Sequence, residues 1–250
     1  RIPGKEEFAE TLRYFRARLA RLGVKVELNR QVTAADLTGF DAVMLATGIV
    51  PRRPAIPGID HPKVASYVDV VSGRVTPGAR VAIVGAGGIG FDVAELLTHE
   101  GGNDVAAFRD EWGIDPEYGH RGGLGKPVTR PPVRKVWLLQ RKREKVGAGL
   151  AKTTGWIRRT LLKKRGVAML AGVEYEKIDD AGLHVSVDGK PQLVPADTVV
   201  ICAGQEPRRD LLSELSAAGI VARLIGGADV AAELDAKRAI AQGTEVALAL

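Results

Sequence analysis

Residues 80–90 read Arg-Val-Ala-Ile-Val-Gly-Ala-Gly-Gly-Ile-Gly, and the fold turns on them. Val81, Ala82, Ile83 and Val84 are a short β-branched run, which predicts a buried strand. Gly85, Gly87 and Gly90, with Gly88 between them, follow in GxGxxG spacing, and Ile89, Val93, Leu96 and Leu97 then mark a helical face. Strand, glycine turn and helix together are the context in which that spacing carries meaning. Gly85 permits the tight turn, Gly87 lets backbone approach a pyrophosphate, and Gly90 lets the helix pack closely on the sheet. The helix start adds unpaired N–H groups and a partial positive charge. These residues predict a dinucleotide-binding α/β unit. An ordinary glycine turn is the bland alternative.

The next strand decides which dinucleotide. Residues 101–134 are rich in Gly and Pro and lack periodicity, so they read as a lid, a partner-docking insertion or a disordered segment. Val136-Trp137-Leu138-Leu139 is the following strand, and it ends in Gln140-Arg141-Lys142-Arg143, with no carboxylate before Glu144. A carboxylate there would accept from the ribose hydroxyls of NAD, whereas basic groups suit a 2′-phosphate. Arg141 and Lys142 therefore predict NADP(H). The alternative is a pair of solvated charges at a strand end.

Working outward, Thr153 or Thr154 starts a helix to about Arg165, and Gly166 stops it. Val167–Leu170 is a strand, residues 172–196 form a small antiparallel meander, and residues 198–204 are a buried strand ending in glycine. Upstream, Phe8, Leu12, Phe15, Leu19 and Leu22 recur at helical spacing. Val24, Val26 and Leu28 alternate with Lys25 and Glu27, which predicts a strand. Residues 41–46 are a buried strand ending at Thr47-Gly48. Pro51, Pro54, Pro57, Pro62 and Pro77 mark a connector with one short helix near Tyr67–Val71. Residues 221–226 are a last strand, and a final helix runs from about Glu233.

Two strand ends carry small residues, Ala46-Thr47-Gly48 and Ala203-Gly204, and each is followed within three residues by proline and then arginine. That parallel predicts two chain crossings between two domains. Asp229, after Gly226-Gly227-Ala228, could accept hydrogen bonds from sugar or ribitol hydroxyls, or could simply cap the last helix.

Composition excludes several classes. The chain has 250 residues, 45% hydrophobic and 26% charged, which excludes a disordered chain. Cys202 is the single cysteine, so the chain has neither an intrachain disulfide nor four thiolates for an iron–sulfur cluster, nor the dithiol of a disulfide reductase. His61, His99, His120 and His184 show no metal-ligand spacing. No apolar run is long enough for a membrane span, and a reduced cytoplasmic setting is expected. The net charge of +6 is local: residues 130–165 hold thirteen basic residues and one acid. The chain starts at Arg1 with a helix almost at once, which reads as part of a longer protein.

The segments RIPGKEEF (1–8), FRDEWGID (108–115), LQRK (139–142), KTTGWIRR (152–159), VICAGQEPRR (200–209) and ELDAKRAIAQGT (233–244) resemble the carboxyl-terminal part of bacterial NADPH-dependent 2,4-dienoyl-CoA reductases. These are two-dinucleotide-domain flavoproteins, and the resemblance covers nearly all of the chain. It implies an α/β fold of two Rossmann-like three-layer units. An NADP(H)-binding domain (77–204) is inserted in an incomplete FAD domain (1–76 and 205–250). It implies that NADPH gives a hydride to FAD. Electrons then pass through an iron–sulfur cluster to FMN in an amino-terminal barrel domain, where a 2,4-dienoyl-CoA of fatty-acid β-oxidation is reduced.

Carried over by position, Gly85, Gly87, Gly88 and Gly90 hold the NADPH pyrophosphate, and Arg141 and Lys142 its 2′-phosphate. Ala46, Thr47 and Gly48 lie near FAD, Val32 at its adenine and Asp229 at its ribitol. Lys5 and Arg13 are further FAD candidates, and Ala232, Glu233 and Leu234 face the nicotinamide. The barrel, the cluster cysteines, the family's proton donors and the first FAD glycine turn are not in this chain. No catalytic acid or base and no metal ligand is therefore named, and FAD binding is expected to be weak.

Three other readings compete. Another barrel-fused flavoprotein reductase or amine dehydrogenase would be told apart by the upstream barrel sequence. A basic nucleic-acid-binding module would want aromatic platforms among the charges of 130–165; only Trp137 and Trp156 lie there, and the expectation is no nucleic acid and no membrane partner. A non-catalytic NADP(H) sensor is the fourth.

Overall fold

The structure, a computed structural model, describes residues 1–100, 104–128, 130–232 and 234–250. The chain packs as two units: Arg1–Ala9 with Arg53–Ala203, and Glu10–Arg52 with Gly204–Leu250. Each is a discontinuous piece of chain.

Helix α1 (Phe8–Arg21) follows the predicted spacing, with Glu10 in its first turn and Arg18 and Arg21 in its last, signs that suit the helix dipole. Its apolar stripe is exposed, however: Phe8 is 67% and Leu12 61% accessible, and α1 has no buried residue. Spacing identifies the face a helix could bury; among the described residues, nothing buries this one. The strand expected over Val24–Leu28 does not form, and all three of its apolar residues are exposed. Alternation specifies two faces, but a strand exists only when a neighbour takes up its backbone groups.

Strand β1 (Val43–Leu45) forms where the 41–46 run was expected, and β2 (Ile49–Pro51) follows it. Then come β3 (Val64–Ser66) and α2 (Tyr67–Ser72). Ser66 caps α2 by accepting from the Asp69 amide, and Gly73 ends it in the left-handed region. Strand β4 (Arg80–Val84) leads through the glycine turn into α3 (Gly88–Thr98).

The Gly/Pro-rich stretch is structured where described. Helix α4 (Val105–Trp112) is capped by Asp104, and Ile114 and Leu124 form a single antiparallel bridge. Asp115 organises the turn between them, accepting from the Glu117 amide at 3.0 Å and the His120 amide at 2.8 Å. Residues 101–103 and 129 of the expected insertion lie outside the described residues.

Strand β5 (Lys135–Leu139), α5 (Gly155–Lys164) and β6 (Ala168–Leu170) follow. The meander is β7 (Val173–Asp179), β8 (Gly182–Val187) and β9 (Lys190–Pro195). Strands β10 (Thr198–Ile201) and β11 (Gln205–Pro207) lead to α6 (Leu212–Ala217), β12 (Ala222–Leu224) and α7 (Ala236–Leu248).

In the larger unit, five described strands make a parallel sheet in the order β3-β10-β4-β5-β6. Val81, Ile83, Leu138 and Val200 point to one face, where Phe91, Val93 and Leu162 of α3 and α5 cover them. Ala82, Val84, Leu139 and Val199 point to the other, against Leu183, Val185 and Val194 of the meander. Both faces are covered, so these strands read as unbroken apolar runs. Each fully buried aliphatic chain contributes ~1.5–3 kcal/mol.

The sequence places the boundary between FAD segment and inserted domain at 76/77. In the structure residues 53–76 belong to the larger unit instead, because β3 pairs with β10 through Val64↔Val199 and Ser66↔Ile201. In the smaller unit β1 pairs in parallel with β12, over a small core of Ala34, Val43, Leu45 and Leu215. There β2 and β11 form a short antiparallel pair.

Candidate functional site

The glycine turn is the first candidate. Gly85 has φ 111°, and a side chain there would put its Cβ 2.5 Å from the Cys202 carbonyl oxygen of β10's trailing end. At Gly90 a Cβ would lie 2.0 Å from the Gly85 carbonyl oxygen, so α3 can start this close to the sheet only with glycine. Gly87 and Gly88 differ: nothing lies within 4 Å of a Cβ built on either. Gly87 is the N-cap of α3 and offers no capping side chain. The first-turn amides of a helix have no partner within it, so here they face an open surface. That is a cradle shaped for an anionic group.

The second part is the loop after β5. Arg141, Lys142 and Arg143 are all exposed. Gln140 pins the loop, its side-chain amide donating to the Lys142 carbonyl at 3.0 Å and the Glu144 carbonyl at 2.6 Å. The Gly172 amide donates to the Lys142 carbonyl at 2.9 Å. Lys142 lies 3.4 Å from Glu144, and Arg143 3.8 Å from Asp188. The basic groups are therefore displayed on an ordered backbone.

Sequence reading missed a residue that holds the strand end between these two parts. The Tyr175 hydroxyl of β7 donates to the Leu139 carbonyl at 3.2 Å, and the Gly85 amide donates to the same oxygen at 2.9 Å. Burial pushes the Tyr175 phenol well above its ordinary range, against the pull of the Arg141 charge. Nothing in the sequence around Tyr175 marks it, because the contact depends on how the meander folds back.

In the smaller unit, residues near the carboxyl ends of β1 and β12 come together. The Thr47 hydroxyl donates to the Arg208 carbonyl at 2.5 Å, and the Arg208 amide donates to the Gly48 carbonyl at 3.0 Å. Gly227 is hemmed in: a Cβ there would meet Ile49 at 2.7 Å and Leu234 at 2.9 Å. Arg209 Nε donates to the Ala228 carbonyl at 2.6 Å, and its Nη2 to the Asp229 carbonyl. Asp229 accepts from Gln242 Nε2 at 2.6 Å. The capping role weighed for Asp229 belongs to Asp235, whose side chain accepts from the Arg238 amide at 2.7 Å. Arg238 also donates to the Ala232 carbonyl at 2.9 Å. Arg209 and Gln242 lie in the segments 200–209 and 233–244 but carry no motif of their own.

Other candidates stand apart. Ala46 is exposed at the end of β1. Val32 is 37% accessible in a loop. Lys5 is taken up by Asp92 of α3 at 2.7 Å, and Arg13 pairs with Glu10 along α1 at 2.6 Å. Glu233 lies outside the described residues. Cys202 is buried, and burial pushes its thiol up. No helix among the described residues is long and apolar enough to cross a membrane.

Comparison with known proteins places this arrangement. A metal reductase of Desulforamulus reducens is 26% identical over 235 residues, 90% of this chain and 34% of that protein. A cinnamate reductase of Clostridium sporogenes is 27% identical over 235 residues, 91% of this chain and 30% of that protein. The chain spans about a third of the length of these relatives. A solved 2-naphthoyl-CoA reductase superposes over 100% of this chain and 33% of its own, with TM-score 0.79 and 23% identity, a likeness of fold. The model of the family described as pyridine nucleotide-disulphide oxidoreductase matches residues 17–236. The chain therefore belongs to the pyridine nucleotide-disulphide oxidoreductase family, whose members bind FAD and a pyridine nucleotide.

Proposed function

We propose that this chain is the NADPH- and FAD-handling module of an NADPH-dependent 2,4-dienoyl-CoA reductase. The observation that carries the reading is the open surface at Gly87-Gly88, on a turn whose Gly85 amide donates to the Leu139 carbonyl, two residues before the exposed Arg141-Lys142 pair. The α3 amides take the pyrophosphate of NADPH, and Arg141 and Lys142 take its 2′-phosphate. A guanidinium gives a phosphate two parallel hydrogen bonds, which is the basis for choosing NADPH over NADH. In the smaller unit Ala46, Thr47 and Gly48 line the flavin side, with Asp229 at the ribitol, Val32 at the adenine, and Ala232, Glu233 and Leu234 toward the nicotinamide. Lys5 and Arg13 are secondary FAD contacts.

FAD, when bound, supplies a hydride acceptor for the nicotinamide. The residues then have a positioning task and need no acid or base. In this proposal the electrons leave through an iron–sulfur cluster and FMN of an amino-terminal barrel domain of the same protein, where the dienoyl-CoA is reduced in the cytoplasm. Domain limits of 1–76, 77–204 and 205–250 belong to the same proposal. The likeness to a cinnamate reductase favours a second reading, in which another enoate is the final acceptor.

The test is direct. The protein is titrated with NADPH and with NADH, then mixed with FAD and either nucleotide while the flavin's visible absorbance is followed. Tighter binding of NADPH and bleaching that depends on it support the reading. Equal affinity for both nucleotides overturns it.

A further inference from the structure

The turn at 226–229 in the smaller unit is clamped by side chains from two other segments. Ala239, Gln242 and Gly243 stand three and four residues apart, so they share one face of α7. That face lies on the turn. A Cβ built on Gly226 would meet the Ala239 Cβ at 3.5 Å, and one on Gly243 would meet Ile225 at 3.7 Å. Gln242 is half-buried there. Its Oε1 accepts from the Gly226 amide at 2.7 Å, and its Nε2 donates to Asp229 Oδ2 at 2.6 Å. From the segment after β11, Arg209 Nε donates to the Ala228 carbonyl at 2.6 Å and its Nη2 to the Asp229 carbonyl.

The polarity of this clamp is fixed. An N–H must meet an oxygen and a carboxylate must meet a donor, so the Gln242 amide cannot turn over without losing both bonds. With its backbone held by Arg209 and Oδ2 held by Gln242, the Asp229 carboxylate has one orientation. Among the described residues no hydrogen bond reaches its Oδ1. Asp229 is half-buried and follows the end of β12. A carboxylate oxygen accepts only, and a hydroxyl can donate, so this donor set fits a polyol.

We propose that Gln242 is a positioning residue for the flavin. It occupies one oxygen of Asp229 and holds the other ready for a ribitol hydroxyl. The inference rests on the reading of Asp229 as the ribitol contact, and it adds a residue that acts through Asp229.

FAD titration followed by flavin fluorescence tests it, beside thermal melts of each variant. Gln242→Glu keeps the acceptor for Gly226 but sets a second carboxylate against Asp229, and should weaken FAD about tenfold. Gln242→Met keeps the length and removes both bonds; it should weaken FAD several-fold, and it serves if Gln242→Glu lacks a native circular dichroism spectrum. Gln242→Glu combined with Asp229→Asn reverses donor and acceptor, keeps the net charge and still leaves an oxygen free at position 229. This double variant should regain most of the affinity that Gln242→Glu loses. A lowered melting temperature with unchanged FAD affinity in the single variants overturns the proposal, since Gln242 would then only pack. A double variant as weak as Gln242→Glu overturns it too. If the parent protein binds no FAD, the flavin reading itself falls and takes this inference with it; parent binding that Gln242→Glu and Gln242→Met leave unchanged sinks the inference alone.

Discussion

The Tyr175 hydroxyl and the Gly85 amide converge on one oxygen, the Leu139 carbonyl, at 3.2 and 2.9 Å. One strand end thereby holds the glycine turn, and the meander holds that strand end. Tyr175→Phe keeps the packing and removes one hydrogen bond, for a loss of about 1 kcal/mol in stability. If the tether positions the turn, NADPH affinity should also fall several-fold. Chemical denaturation and nucleotide titration measure the two separately, and a stability loss with unchanged NADPH affinity would limit Tyr175 to a structural role.

Arg141→Ala with Lys142→Ala should remove most of the preference for NADPH over NADH. Hydrogen bonds to charged groups contribute ~1.5–3 kcal/mol each, so the NADPH constant should weaken at least tenfold while the NADH constant stays put. Both side chains are exposed, so thermal stability should hardly change. Parallel titrations with the two nucleotides decide it.

The glycines of the turn should separate by phenotype. Gly90→Ala forces Cβ to within 2.0 Å of the Gly85 carbonyl oxygen, so the helix must move off the sheet and stability should drop by about 1–3 kcal/mol. Gly87→Ala meets nothing within 4 Å. It should fold with little change in stability, yet weaken dinucleotide binding by crowding the approach of a pyrophosphate. Denaturation midpoints set beside nucleotide affinities will show whether the two substitutions divide in this way.

Asp36 should give the smaller unit part of its acid sensitivity. The Thr33 amide and hydroxyl, and then Arg30, hold its carboxyl down to about 2, from an ordinary value of 3.8. A depressed folded value means the contribution is fully present above the ordinary one, and is lost as pH falls from about 4 through 2. Asp36→Asn should therefore be less stable than the parent at pH 6 and converge with it near pH 2. Denaturation across that range checks the sign.

Much of the larger unit was legible because its signals are local. Val81–Val84, the GxGxxG spacing and the apolar face through Val93 and Leu97 depend on period and sterics, and each stands where it was read. The stripe of α1 was legible as a helix but not as an exposed one, since burial depends on what lies beside it. Val24–Leu28 failed for a related reason: alternation says nothing about a ladder partner. Asp229 and Asp235 both stand near a helix start, and only the structure shows that Asp235 caps it. Tyr175 and Arg209 act across 36 and 19 residues, on backbone oxygens, and no local pattern encodes such a contact.

The short pair of β2 and β11 has a topological consequence. Gln205 stands opposite Pro51, and the Arg52 amide donates to the Gly204 carbonyl at 3.0 Å. The stretch from Arg53 to Ala203 thus leaves and rejoins the smaller unit at one pair of hydrogen-bonded flanks. Excising that stretch would leave the β1–β12 and β2–β11 rungs of the smaller unit in place, while Arg1–Ala9 would lose the body it packs with.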